Sequence, residues 1–301
     1  MLKPNPIKIK CEDGVELAAL LIEPKNPKAV VQINGGTAFK KEFYLNFARY
    51  LSEHGFVTIV YDYRGCCESA PPDLAKCDYS FLDVGMKDMP AVLDFLEARY
   101  PHLEKLIFGH SVGGQQIGFM RNHLKIKALV CFAVSVGYIK KLRVPYRYKA
   151  WFFFKIFTPL SIFFTGYVKA KPFGFMENLN ARLVREWAAW CDVPEYFFNE
   201  KYYGKSIPKG HFQDLTFPIH VYWASDDLLS NSETIPLLWQ HIKSTQPIDF
   251  QELTPQNYGA KAIDHHGFFR KEFKETLWKE ALEKLNSFVS MPIDTPSVLK
   301  H

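Results

Sequence analysis

Apolar residues along the chain fall into short continuous runs that alternate with longer stretches of helical spacing. Ile7 to Glu12 and Val15 to Glu23 read as two strands separated by Asp13-Gly14, a dipeptide that favours a hairpin turn, so the sheet is expected to start antiparallel. Ala29 to Ile33, Val57 to Tyr61, Lys105 to Phe108, Lys127 to Val134, Ile219 to Trp223 and Ile248 to Leu253 have the length and continuity of strands buried on both faces. Between them the spacing predicts helices over about 42–54, 84–99, 112–123 and 232–241, with a last one over 269–288. In the first of these, Phe43, Phe47, Tyr50 and Leu51 share a face and Gly55 ends the helix. Strands and helices alternating in this way predict an α/β fold, a mostly parallel central sheet flanked by helices.

The alternation stops at about Gly137 and resumes at Pro218. The interval holds an aromatic run from Trp151 to Phe164 and a helix near Leu179 to Cys191, with Leu179, Leu183, Trp187 and Trp190 at helical spacing. The expected division is therefore a first part of the core over 1–136, an inserted helical, aromatic-rich cap or lid over 137–217, a second part of the core over 218–291 and a loose tail over 292–301. The aromatic run is shorter than the ~20 residues a bilayer span needs and carries Lys155 and Pro159 inside it, which excludes a span. A cap over the site is the preferred reading, and weak contact with a membrane surface the second.

Composition sharpens this picture in three places. With 48% apolar and 16% aromatic residues, the 301-residue chain can bury a sizeable core. The net charge of +5 is concentrated: Val136 to Met176 holds eight Lys or Arg and no Asp or Glu, leaving 29 basic against 32 acidic residues elsewhere. Those cations are interleaved with continuous apolar runs, which argues against nucleic acid as a partner. The six cysteines include no C-x-x-C pair or zinc spacing, and reduced thiols are expected. The first residues lack the apolar core of a secretory signal, so a cytoplasmic protein is expected. Gly204-Lys205-Ser206 lacks the glycine five residues earlier that a phosphate loop needs, and no H-E-x-x-H or G-x-G-x-x-G occurs. No cofactor and no metal are expected.

The candidate chemistry lies at Gly109-His110-Ser111-Val112-Gly113, a G-x-S-x-G between a predicted strand and a predicted helix. A serine hydroxyl is a weak nucleophile and needs a base and a group that orients the base. Two later loops offer them in chain order. Ser225-Asp226-Asp227 follows the strand ending at Trp223, and Asp264-His265-His266-Gly267 precedes the last helix. Asp227 is the favoured acid and Asp226 the alternative. The oxyanion of an acyl-transfer intermediate needs two N–H donors. Val112 supplies one at the elbow, and Gly36, in the loop Asn34-Gly35-Gly36-Thr37 after an early strand, is the candidate for the second. His110 reads as packing, because its side chain should point away from that of Ser111.

Together with Asp62-Tyr63-Arg64-Gly65, Glu186-Trp187-Ala188-Ala189-Trp190-Cys191 and His265-His266-Gly267-Phe268-Phe269-Arg270, these motifs resemble the α/β-hydrolase superfamily over nearly the whole chain, and more closely a bacterial subgroup of it. The resemblance implies a Ser, Asp, His triad. It favours His265, two residues before the glycine of G-F-F, and Asp227, at the end of a W-G-x-x-D-like stretch. Cys67 and Ala224 stand where the family has glycine, and Asn34-Gly35-Gly36 where it commonly has His-Gly-x. The expected function is hydrolysis of a carboxylic ester or thioester with an apolar acyl group, on a small-molecule or lipid-like substrate. Acyl transfer, peptide cleavage or ligand binding with little turnover are the alternatives, and the oligomeric state is left open.

Overall fold

Gly14, at φ +85°, lets the chain reverse after Asp13, and its N–H donates to the Cys11 carbonyl at 3.0 Å. The reversal pairs β1 (Asn5–Lys10) with β2 (Glu16–Ile22) in antiparallel register, Pro6 opposite Leu20 and Ile7 opposite Ala19. In the computed structural model, which describes residues 2–290, β3 (Ala29–Asn34), β4 (Phe56–Tyr61), β5 (Lys105–His110) and β6 (Ala128–Phe132) follow, each buried along its whole length. A short ribbon, β7 (Tyr167–Val168) and β8 (Leu179–Asn180), stands apart from the main sheet. The chain then returns to that sheet with β9 (Ile219–Ala224) and β10 (Ile248–Leu253). The order across the eight strands is β1-β2-β4-β3-β5-β6-β9-β10, antiparallel at β1, β2 and β4 and parallel from β4 onward.

Continuous apolar strands need cover on both faces, and two cores supply it. One joins α1 (Leu45–Glu53) to α8 (Leu277–Val289) through Phe47, Leu51, Trp278 and Leu285. The other holds α2 (Met89–Arg99), α7 (Thr234–Trp239) and the buried side chains of the segment between β6 and β9. That segment contains α4 (Tyr146–Phe152), a π-helical turn over Phe153–Phe157, α5 (Thr158–Thr165) and α6 (Ala181–Trp190). It is anchored at α6, where Glu186 accepts from Ser80 Oγ and Phe81 N–H at 2.7 and 2.8 Å and Trp190 stacks on Phe81.

The helices are shorter than their periodicity predicts, as three of them show. The helix expected over 112–123 is regular only over α3 (Val112–Gln115), followed by a 3-10 turn at Ile117–Phe119. There the Gly118 carbonyl accepts from His211 N–H at 2.7 Å, and the Phe212 ring fills the space a Cβ at Gly118 would need. The helix expected from 84 begins as a π-turn over Val84–Asp88, next to Pro90, which has no N–H to give. The last helix starts at Leu277 rather than 269, because Gly267–Phe269 and Lys271–Phe273 are separate 3-10 turns. The tail expected over 292–301 lies outside the described residues.

Candidate active site

A parallel sheet brings the C-terminal ends of its strands to one edge, so the loops after β3, β5, β9 and β10 meet there. Asn34, last in β3, pairs with Gly109 of β5, and His110 pairs with Phe132 of β6. Ser111 follows at φ +51° and ψ −118°, a conformation that costs on the order of 1–3 kcal/mol in a non-glycine residue. The surrounding structure holds it there: Ser111 N–H donates to the Phe132 carbonyl at 3.1 Å, and its own carbonyl accepts from Gly114 and Gln115. Gly113 is required by close approach, since a Cβ there would lie 2.2 Å from the Asn34 carbonyl. Asn34 Nδ2 donates to the Gly113 carbonyl at 3.3 Å, locking β3 to the elbow.

The two aspartates after β9 have separate partners. Asp227 is fully buried; its Oδ2 lies 2.7 Å from His265 Nδ1 and its Oδ1 accepts from Leu229 N–H at 2.7 Å. Asp226 accepts from the backbone N–H groups of Ile263 and Asp264 at 3.0 and 3.1 Å, and so ties down the loop that carries His265. The neighbouring His266 is exposed and bonds Asp264 instead, at 3.1 Å. Burial would raise the Asp264 carboxyl. The His266 side chain and backbone N–H and the Arg270 guanidinium outweigh it and hold the group below the usual carboxylate range.

Beneath the elbow runs a buried hydrogen-bond chain that sequence reasoning missed. Gly36 N–H donates to the Tyr44 hydroxyl at 2.7 Å, and the Tyr44 hydroxyl lies 2.8 Å from His110 Nδ1. His110 Nε2 lies 2.8 Å from the His265 carbonyl. A carbonyl only accepts, so Nε2 carries a proton; Gly36 N–H only donates, so the Tyr44 hydrogen goes to Nδ1, and His110 is the neutral tautomer. Burial, with His265 beside it, pushes the His110 pKa well below its ordinary value, which agrees with that assignment. His110 is therefore more than packing: it joins the loops after β3 and β10 through the residue next to Ser111. Only the H-S dipeptide itself could have drawn attention to it, since Tyr44 is 66 residues away.

The same chain corrects one expectation. The Gly36 N–H does not stand open as an oxyanion donor but is engaged by Tyr44, and a Cβ at Gly36 would lie 2.9 Å from His110 Nδ1. The next amide, Thr37 N–H, meets no acceptor among the described residues. Val112 N–H, at the first position of α3, has no partner within its helix. The D-x-R-G stretch is scaffold. Asp62 accepts from Lys41 N–H at 2.8 Å and pairs with Lys41 Nζ at 3.0 Å, while Arg64 bonds buried Asp88 at 2.6 Å and Asp13 at 2.7 Å. Two open clefts of about 520 and 540 Å³ share Lys40, Glu42, Lys171 and Glu177 in their walls, and neither is lined by Ser111 or His265.

Solved structures share this architecture. A soluble variant of monoglyceride lipase from Saccharomyces cerevisiae, in complex with a substrate analogue, superposes with a TM-score of 0.67 at 15% identity, over 97% of this chain and 97% of that one. Est1E from Butyrivibrio proteoclasticus, with ferulic acid bound, gives 0.62 at 16% identity, over 95% and 100%. An esterase from Pyrococcus furiosus gives 0.55 at 15% identity, over 96% and 92%. At these identities the likeness is one of fold. Comparison with curated proteins found no match. The family model Hydrolase_4, described as serine aminopeptidase S33, matches residues 25–185, more than half of the chain, and with the elbow and sheet order in place the chain belongs to that family of α/β-hydrolase enzymes.

Proposed function

We propose that the protein cleaves a carboxylic ester or thioester bearing an apolar acyl group, through an acyl-enzyme on Ser111. The observation that carries this reading is the pairing of His265 Nδ1 with the fully buried Asp227, on the same sheet edge as a serine held at φ +51°. In this mechanism His265 Nε2 takes the Ser111 proton as Oγ attacks the carbonyl, and Asp227 stabilises the imidazolium. Val112 N–H and Thr37 N–H receive the oxyanion. Collapse of the tetrahedral species breaks the bond to the alcohol or thiol, which leaves with the proton from His265. Water, deprotonated by His265, then adds to the acyl-enzyme, and the acid departs as the Ser111 hydroxyl is restored. The segment between β6 and β9 acts as the cap in this reading, its inward Phe153, Phe154 and Trp187 supplying apolar surface.

The test combines labelling with turnover. A fluorophosphonate should label the wild type and leave Ser111→Ala and His265→Ala unlabelled, while p-nitrophenyl esters of increasing acyl length report the pocket. The family description brings peptide cleavage in as the second reading, so an aminoacyl p-nitroanilide belongs in the same panel. Faster turnover of the anilide than of any ester would replace the first reading with the second. An unlabelled, inactive wild type would remove both and leave ligand binding.

A further inference from the structure

Residues 146–165 form one continuous helical rod, α4, the π-turn and α5, about 30 Å long at 1.5 Å per residue. One side faces the protein: Ala150, Phe153, Phe154 and Thr158 are buried. A helix of this kind normally turns polar residues outward. This one does not. Its exposed positions are 148, 149, 151, 152, 155, 156, 159, 160, 163 and 164, and apart from Lys149 and Lys155 they are Tyr, Trp, Phe, Ile, Pro, Leu, Phe and Phe. Phe163 and Phe164, at the far end, are 80% and 76% exposed. Contiguous apolar surface on this scale marks an interaction site.

The charge around the rod says what covers it. The stretch from Val136 to Met176 has eight cations and no acid. Lys155 and Lys171 are paired, with Asp192 and Glu177, but Lys140, Lys149 and Lys169 form no ion pair among the described residues. Lys149 sits near one end of the rod and Lys169 just past the other. A second copy of the chain placed face to face would set these cations against their own images. An apolar stripe with cations at both ends instead fits an anionic lipid surface, where side chains enter the acyl boundary and lysines meet headgroups. No helix among the described residues is long and apolar enough to cross a membrane.

We propose that the outer face of the 146–165 rod docks the protein flat on an anionic bilayer surface, with Trp151, Phe152, Leu160, Phe163 and Phe164 inserted. This goes beyond the proposed chemistry and does not depend on Ser111 reacting. The test is flotation with vesicles of phosphatidylcholine alone and of phosphatidylcholine with about one third phosphatidylglycerol, which supplies the anionic surface. The wild type should float with the anionic vesicles. Phe163→Ser/Phe164→Ser should weaken that partition roughly tenfold or more, since both apolar insertions are lost. Lys149→Glu/Lys169→Glu should weaken it as well, and raising salt from about 0.1 M to about 1 M, which shortens the screening length from about 10 to about 3 Å, should do the same to the wild type. Circular dichroism and, if the wild type is labelled, fluorophosphonate labelling should be unchanged in both variants. Three outcomes overturn the proposal: no flotation, flotation that the phenylalanine variant retains, or equal flotation with neutral and anionic vesicles. A dimer in sedimentation that the phenylalanine variant dissolves, with no flotation, would assign the face to a second copy instead.

Discussion

The floor of the elbow and the 146–165 rod handle burial in opposite ways. Around Ser111 the buried groups are polar and paired: Gly36 N–H to Tyr44, Tyr44 to His110, His110 to the His265 carbonyl, Asp227 to both His265 and Leu229 N–H. Along the rod most groups are apolar on both sides, and one side has nothing over it among the described residues. Buried hydrogen bonds are directional and leave few alternative arrangements, which suits a site that must hold reacting atoms within a fraction of an ångström. Apolar contact is nondirectional, which suits a surface that meets a fluid or variable partner.

Substitutions can break this contrast at decreasing cost. Ser111→Ala should abolish fluorophosphonate labelling and lower ester turnover by on the order of 10⁶-fold with the fold intact by circular dichroism. Retained turnover would move the chemistry elsewhere. Next, Asp227→Asn should cost about 10⁴-fold in kcat by disturbing the His265 tautomer. Asp226→Asn, whose oxygens hold only backbone, should cost less than about 10²-fold. Reversed magnitudes in the two assays would exchange their roles.

The rod supplies an internal control on stability. Phe153→Ala on its buried side should lose about 3–5 kcal/mol in urea unfolding, as deletion of a buried aromatic ring generally does. Phe163→Ala on the exposed side should stay within about 0.5 kcal/mol. Equal losses would mean that the outer face is covered within the protein.

A smaller effect reads the elbow through pH. His110 in the folded chain titrates well below its ordinary value of 6.5 because it is buried, so below that pH the unfolded chain binds a proton that the native chain does not. Its contribution to stability is therefore complete above about pH 6.5 and declines as pH falls, by up to about 1.4 kcal/mol per pH unit. His110→Gln should remove that part of the acid slope in urea titrations at successive pH values. An unchanged slope would mean that His110 takes up its proton as readily in the native chain as in the unfolded one, and the Tyr44 hydrogen bond would have to be reassigned.

Much of this molecule is written locally. The eight main strands, the elbow at Ser111 and the later loops carrying Asp227 and His265 were legible because period, glycine spacing and chain order are properties of neighbouring residues. The interval between β6 and β9 was legible as a break in the alternation. Tertiary structure decided what neighbours cannot specify. Asp226 and Asp227 are adjacent and chemically alike, and only the turn after β9 and the loop after β10 send one carboxylate to His265 and the other to backbone. The helix after the elbow ends early because a segment some ninety residues later takes the Gly118 carbonyl. Gly36 N–H turns inward because Tyr44 and His110, far apart in sequence, are brought beneath it. In the aromatic run apolar residues fall on every side of the helix, so the pattern alone could not say which side would be buried. Packing against the core chose one side, and left the other to whatever surface the protein meets.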